Sequence, residues 1–189
     1  MTGGVRLPSP VRAPLLAAAL TALLAGPPAP AAGCAYDTML AGDGVRVQVT
    51  VPAKEPCVIG TYTVTISKKG SKPQVVTLKR DGTVTNAFFE DVTGDGSRDL
   101  VVFVTSSGSG GYGRLDIWEW TGDRFKAGFV TDLSPEQQAG YHGHDTYRAA
   151  AGVLRRSFPL YRDGDPNCCP TGGTATYRWA AKTNVWVRE

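Results

Sequence analysis

Residues 87–112 read AFFEDVTGDGSRDLVVFVTSSGSGGY, an acidic turn, an apolar strand and a glycine-serine loop in unbroken succession. The middle, Leu100–Val104, is an apolar run of strand length and predicts a central strand covered on both faces. Before it, Asp91, Thr93, Asp95, Ser97 and Asp99 take positions 1, 3, 5, 7 and 9 of one loop, with Gly96 at position 6. Alternate oxygen-bearing side chains on a tightly wound backbone converge on one point, so this spacing predicts one structural calcium ion. An EF-hand would need a bidentate Glu at position 12, where Val102 stands; the expectation is therefore a metal loop between two strands. Asp and Gly also favour plain turns, and the same letters serve as a simple hairpin connection. Charge favours the ion. Glu90, Asp91, Asp95 and Asp99 face the single cation Arg98, and carboxylates so close repel unless neutralised.

Outward from this stretch the chain alternates apolar and polar residues with the period of strands. Val45–Val51 and Thr61–Ser67 predict neighbouring antiparallel strands after a short irregular start at Cys34. Gln74–Lys79 and Thr83–Phe89 follow, joined by Asp81-Gly82, which reads as a hairpin turn. Beyond the central run, Gly113–Trp120 places Leu115 and Ile117 on one face and Asp116, Trp118 and Trp120 on the other. Arg124–Phe129 continues it. Ser134-Pro135-Glu136 signals a helix of about two turns, capped by Ser134 and ended by Gly140. Residues 145–162 return to strand character with a break at Gly152, and Thr174–Ala180 with Val185–Arg188 forms a last hairpin. The expected fold is all-β, an antiparallel sandwich or distorted barrel of about eight to ten short strands.

The first 33 residues read as a signal peptide and cleavage region. Arg6 and Arg12 precede the apolar run Leu15–Ala25, and small residues follow, with cleavage after Ala31 as the fitting site. A rival reading is a lipoprotein signal ending at Cys34, the one route by which this chain would be held at a membrane. Residues 34–189 then form a single domain, exported to the periplasm or secreted, as a monomer or small homo-oligomer. Without Arg6 and Arg12 it carries 18 basic against 17 acidic residues, so nothing in its charge points to nucleic acid. Cys34, Cys57, Cys168 and Cys169 allow three disulfide pairings, between which the sequence does not choose.

Thr105–Gly113, TSSGSGGYG, is a flexible loop leaving the most buried strand, with one aromatic, Tyr112, among small hydroxyl residues. Such a tip can enter a concave partner, the tyrosine supplying contact area and the serines hydrogen bonds. The pattern DVTGDGSRDLVVFVTSSGSGGY resembles the periplasmic inhibitors of invertebrate-type lysozyme and related exported immunity proteins. GHDTYR (143–148) and SFPLYRDGDPNCCPTGG (157–173) are similar to members of that group as well. The resemblance implies a non-enzymatic, strand-rich protein whose S-G-x-Y-type loop plugs the cleft of a lysozyme-like glycoside hydrolase, either a host defence enzyme or a bacterial toxin. Carried over by position, the inhibitory residues fall on Ser109 and Tyr112, with Ser107 as a competing choice because Ser-Gly occurs twice.

Two other classes compete. An enzyme would have to use His142, His144 and Asp145, but no third metal ligand stands at useful spacing and no serine lies in a nucleophile elbow. A calcium-stabilised adhesive or carbohydrate-binding module of FG-GAP type would use Trp118, Trp120, Trp179 and Trp186 as stacking surfaces. Such proteins repeat their acidic loop, whereas DxTGDGxxD occurs once here.

Overall fold

The computed structural model describes Met1 and residues 34–189; the expected signal segment lies outside the described residues. Among the described residues twelve strands follow one another: β1 (Tyr36–Gly42), β2 (Val45–Val51), β3 (Ile59–Lys68), β4 (Gln74–Asp81), β5 (Thr83–Glu90), β6 (Asp99–Thr105), β7 (Gly113–Trp120), β8 (Phe125–Ala127), β9 (Thr146–Ala150), β10 (Val153–Pro159), β11 (Thr174–Ala180) and β12 (Val185–Arg188). They form three four-stranded sheets, ordered β1-β2-β3-β4, β5-β6-β7-β8 and β12-β11-β10-β9. Every pairing is antiparallel between chain neighbours. None of the sheets closes into a barrel, and the all-β sandwich reading holds with a third layer added.

The middle sheet is shared. From β6, Leu100, Val102 and Val104 join Val45, Val47, Val49, Tyr62, Val64 and Ile66 of the amino-terminal sheet in one core. Val101 and Phe103 point the other way, into a second core with Tyr147, Leu154, Phe158, Tyr177, Trp179 and Trp186 of the carboxy-terminal sheet. This is why the run has no alternation: six of its seven residues are buried. Each fully buried Val or Leu contributes roughly 1.5–3 kcal/mol, and β6 supplies both cores. On β7, Ile117 goes to the second core and Trp120 to the first, as the two-residue period requires. The Tyr62 hydroxyl donates to Asp116 at 2.8 Å and ties the first two sheets together.

Three expectations change. The short irregular start is a strand, β1, joined to β2 by Asp43 and Gly44, both with positive φ (51° and 71°), the two-residue turn that matches strand twist. Asp81-Gly82 is not a hairpin. β4 and β5 lie in different sheets, and Gly82 turns the chain from one to the other. Its φ is +112°, and an added Cβ would lie 2.1 Å from the Thr105 carbonyl oxygen, so only glycine passes this corner. The segment after Ser134 makes turns rather than a helix. Ser134 caps the Gln137 amide as expected, at 3.4 Å, but the backbone bonds that follow, Gln138 to Ser134, Ala139 to Glu136 and Tyr141 to Gln138, are turns of mixed span rather than a helical repeat, and Gly140 takes φ +72° among them. Cys34 is bonded to Cys57, and Cys168 to its neighbour Cys169.

Candidate functional site

The two loops singled out in the sequence sit at opposite ends of β6. At its start, residues 91–98 join β5 to β6 as a hairpin whose last pair is Glu90 with Asp99. The Asp91 carboxylate turns inward and accepts the amides of Gly94 (2.7 Å), Asp95 (3.2 Å) and Gly96 (3.0 Å). Asp95 accepts the Ser97 amide at 2.7 Å. Gly96 has φ +92°, as the spacing predicted. Arg98 stands 3.8 Å from Glu90 and 3.7 Å from Asp43, an exposed and partial counter-charge.

Asp99 differs from the others, being wholly buried. One oxygen accepts the Val92 amide (3.0 Å), the Thr93 amide (2.9 Å) and the Thr93 hydroxyl (3.0 Å). The other, Oδ1, has no partner among the described residues. Burial pushes this carboxyl up to about 6, against the pull of those donors, and the nearby Asp95 charge adds to the rise. Among the described residues no three His, Cys, Asp or Glu side chains converge as a ready metal centre.

At the far end of β6, residues 105–113 form a closed loop rather than a loose one. The Ser106 amide donates to the Tyr112 carbonyl (2.8 Å), the Tyr112 amide to the Ser106 hydroxyl (2.9 Å), and the Gly111 amide to the Gly108 carbonyl (3.0 Å). Ser107 donates its hydroxyl to the Cys57 carbonyl at 3.1 Å. Ser109 is exposed, and its side chain takes no part in these bonds. Tyr112 is 50 % exposed, a large aromatic held at the surface. Both candidate serines are exposed; they differ in that Ser107 is bonded to the Cys57 carbonyl, whereas the Ser109 hydroxyl has no bond among the described residues.

His142, His144 and Asp145 stand at the base of this loop, not in a catalytic arrangement. Both imidazoles stack on the Tyr161 ring, at 4.8 and 6.3 Å between centroids. Asp145 is buried and paired with Arg156 at 2.6 Å. Trp120, Trp179 and Trp186 are core residues and Trp118 packs against the first core, so none forms an exposed stacking row.

Sequence reading missed Arg80. Its guanidinium is buried and donates to the carbonyls of Thr61 (3.0 Å), Cys57 (3.3 Å), Gly82 and Pro56 (2.6 Å), organising the chain beneath Ser107. A lone Arg at a strand end carries no mark of this.

Residues 37–127 match the family described as periplasmic lysozyme inhibitor of I-type lysozyme. This segment, just under half of the chain, is similar to that family. The family is one of inhibitors, not enzymes. Two solved structures are similar. The periplasmic inhibitor of I-type lysozyme from Aeromonas hydrophila is 25 % identical over 53 % of this chain and 92 % of its own, with a TM-score of 0.47. The Aeromonas hydrophila inhibitor in complex with Meretrix lusoria lysozyme is 23 % identical over 54 % of this chain and 93 % of its own, with a TM-score of 0.41. No curated protein matches the chain. Both candidate loops fall inside the family segment, while β9–β12 lie beyond it.

Proposed function

We propose that this chain is a periplasmic inhibitor of a lysozyme-like peptidoglycan hydrolase, I-type lysozyme first, and that it blocks the enzyme by seating residues 107–112 in the catalytic cleft. The observation that carries the reading is the closed 105–113 loop at the end of a strand buried on both faces, presenting Ser109 and Tyr112 outward. A glycosidase cleft of this type works with paired carboxylates, one of them protonated. The Ser109 hydroxyl can donate to one and accept from the other, while the Tyr112 ring occupies the place of a sugar. Ser107 serves the loop's own scaffold through Cys57.

The same reading assigns one structural calcium to the 91–99 loop, through Asp91, Thr93, Asp95, Ser97 and Asp99. The unpaired, buried Asp99 Oδ1 supports it, since a desolvated carboxylate oxygen without a donor favours a cation. The ion would supply charge neutralisation at the start of β6 and nothing to the inhibitory chemistry.

The test is inhibition of a panel of chicken-, goose- and invertebrate-type lysozymes and bacterial muramidases by residues 34–189, in calcium and in chelator. Inhibition of the invertebrate type is expected. A folded protein that leaves the whole panel active would overturn the reading.

A further inference from the structure

The carboxy-terminal sheet lies outside the family segment, yet residues leading into it and joining β10 to β11 hold the proposed plug from one side. The His144 amide donates to the Gly110 carbonyl at 2.7 Å. The Asn167 side-chain amide donates to the Ser109 carbonyl at 3.1 Å. The Gly113 amide donates to Asp145 at 2.8 Å, and the Tyr112 ring meets Tyr141 edge-on, 5.6 Å between centroids. Gly143 permits the approach: a Cβ there would lie 2.0 Å from the Gly110 carbonyl oxygen.

Asp145 is itself fixed from behind. Arg156 reaches it at 2.6 Å and the Tyr141 hydroxyl at 2.8 Å, and Tyr141 in turn donates to Asp145. The guanidinium lies over the rings of Tyr141, Tyr147 and Phe158, 5.0–5.6 Å from their centroids. A charged pair buried this way is costly unless its geometry and hydrogen bonds are complete, and here the carboxylate accepts from Arg156, Tyr141 and the loop amide. The network therefore ends on the backbone of the residue after Tyr112.

Residues 105–113 include four glycines, each of which loses more freedom on ordering than any other residue. A free loop of this composition would be ordered at the expense of binding, and one ordered beforehand avoids that cost. We infer that Asp145, backed by Arg156 and Tyr141, together with Asn167, are positioning residues that hold the 105–113 loop in its docking shape, so that the carboxy-terminal sheet sets the inhibitor's affinity. This rests on the plug reading above.

The experiment uses residues 34–189 with three variants, Asn167→Ala, Gly143→Ala and Asp145→Asn, read by hydrogen exchange of the 105–113 amides, inhibition constant and thermal midpoint. Asn167 is exposed, so its variant keeps the fold. Loss of its one bond is expected to speed exchange in residues 109–113 and to weaken inhibition roughly three- to tenfold, with the midpoint nearly unchanged. Gly143→Ala is expected to move both readouts further. Asp145→Asn also lowers the midpoint and is judged by exchange below it. Unchanged exchange in Asn167→Ala and Gly143→Ala overturns the inference, as does faster exchange with undiminished inhibition. Should the wild type inhibit no lysozyme, the plug reading fails by itself, and the exchange arm still decides whether these residues order the loop.

Discussion

Replacing Asp99 by Asn tests the physics of the acidic loop. The wild-type side chain is buried, with three donors on one oxygen and none on the other. Burial raises its carboxyl from 3.8 to about 6. A folded value above the unfolded one means that the proton stabilises the fold. That contribution is fully present below 3.8 and is lost as pH rises through about 6. About two units at about 1.36 kcal/mol each bound the loss near 3 kcal/mol, and about 2 kcal/mol remains after screening by the water around this loop. Asn is neutral throughout and keeps one oxygen for the three donors. In chelator, the stability difference should therefore shift by about 2 kcal/mol in favour of Asp99→Asn between roughly pH 4 and pH 7.5. For a domain of this size that is about 4–8 °C in midpoint. Saturating calcium should reverse the order near pH 7.5, because the ion stabilises the carboxylate and not the amide. The assay is thermal denaturation of both proteins across that pH range, with calcium and with chelator. A difference independent of pH in chelator would refute the burial argument, and midpoints indifferent to calcium would remove the ion from the loop.

Two further outcomes follow from the fold. Gly82→Ala places a methyl 2.1 Å from a backbone oxygen at φ +112°, and should cost about 3 kcal/mol or more by denaturant titration; a loss under about 1 kcal/mol would show that the corner between sheets is not tight. On the outer face of the carboxy-terminal sheet, Arg148, Arg155 and Arg178 stand opposite one another across three strands, with Arg155 paired to Glu189 at 2.9 Å. Arg178→Glu replaces a like-charge neighbour by an opposite one and should raise stability by about 0.5 kcal/mol, less at high salt; a clear loss would contradict the register argument.

The central strand, its two-sided burial and the loops at its ends were legible because each carries a local signal: an unbroken apolar run, a periodic set of oxygen side chains, a cluster of glycine and serine. Partnership between strands was not. Asp81-Gly82 and Asp43-Gly44 are the same dipeptide, yet one turns a corner between sheets and the other makes a hairpin. The letters permit a positive φ, but the strands on either side decide what the turn connects, and Asp81 contributes none while Asp43 does. The same limit hid the buried charges. Arg80, Asp145 and Arg156 look like surface residues in sequence, and only the packing of three sheets brings carbonyls, a tyrosine hydroxyl and aromatic faces around them. Composition suggested a flexible 105–113 loop, whereas the fold brings it bonds from residues up to 58 positions away.

The decisive measurement is the inhibition constant of residues 34–189 against an I-type lysozyme, for the wild type and for Tyr112→Ala. The account predicts that the wild type inhibits and that the variant is weaker by roughly 30-fold or more, as for a central aromatic anchor, with its thermal midpoint nearly unchanged. Equal inhibition by both folded proteins would contradict the assignment of the plug to this loop.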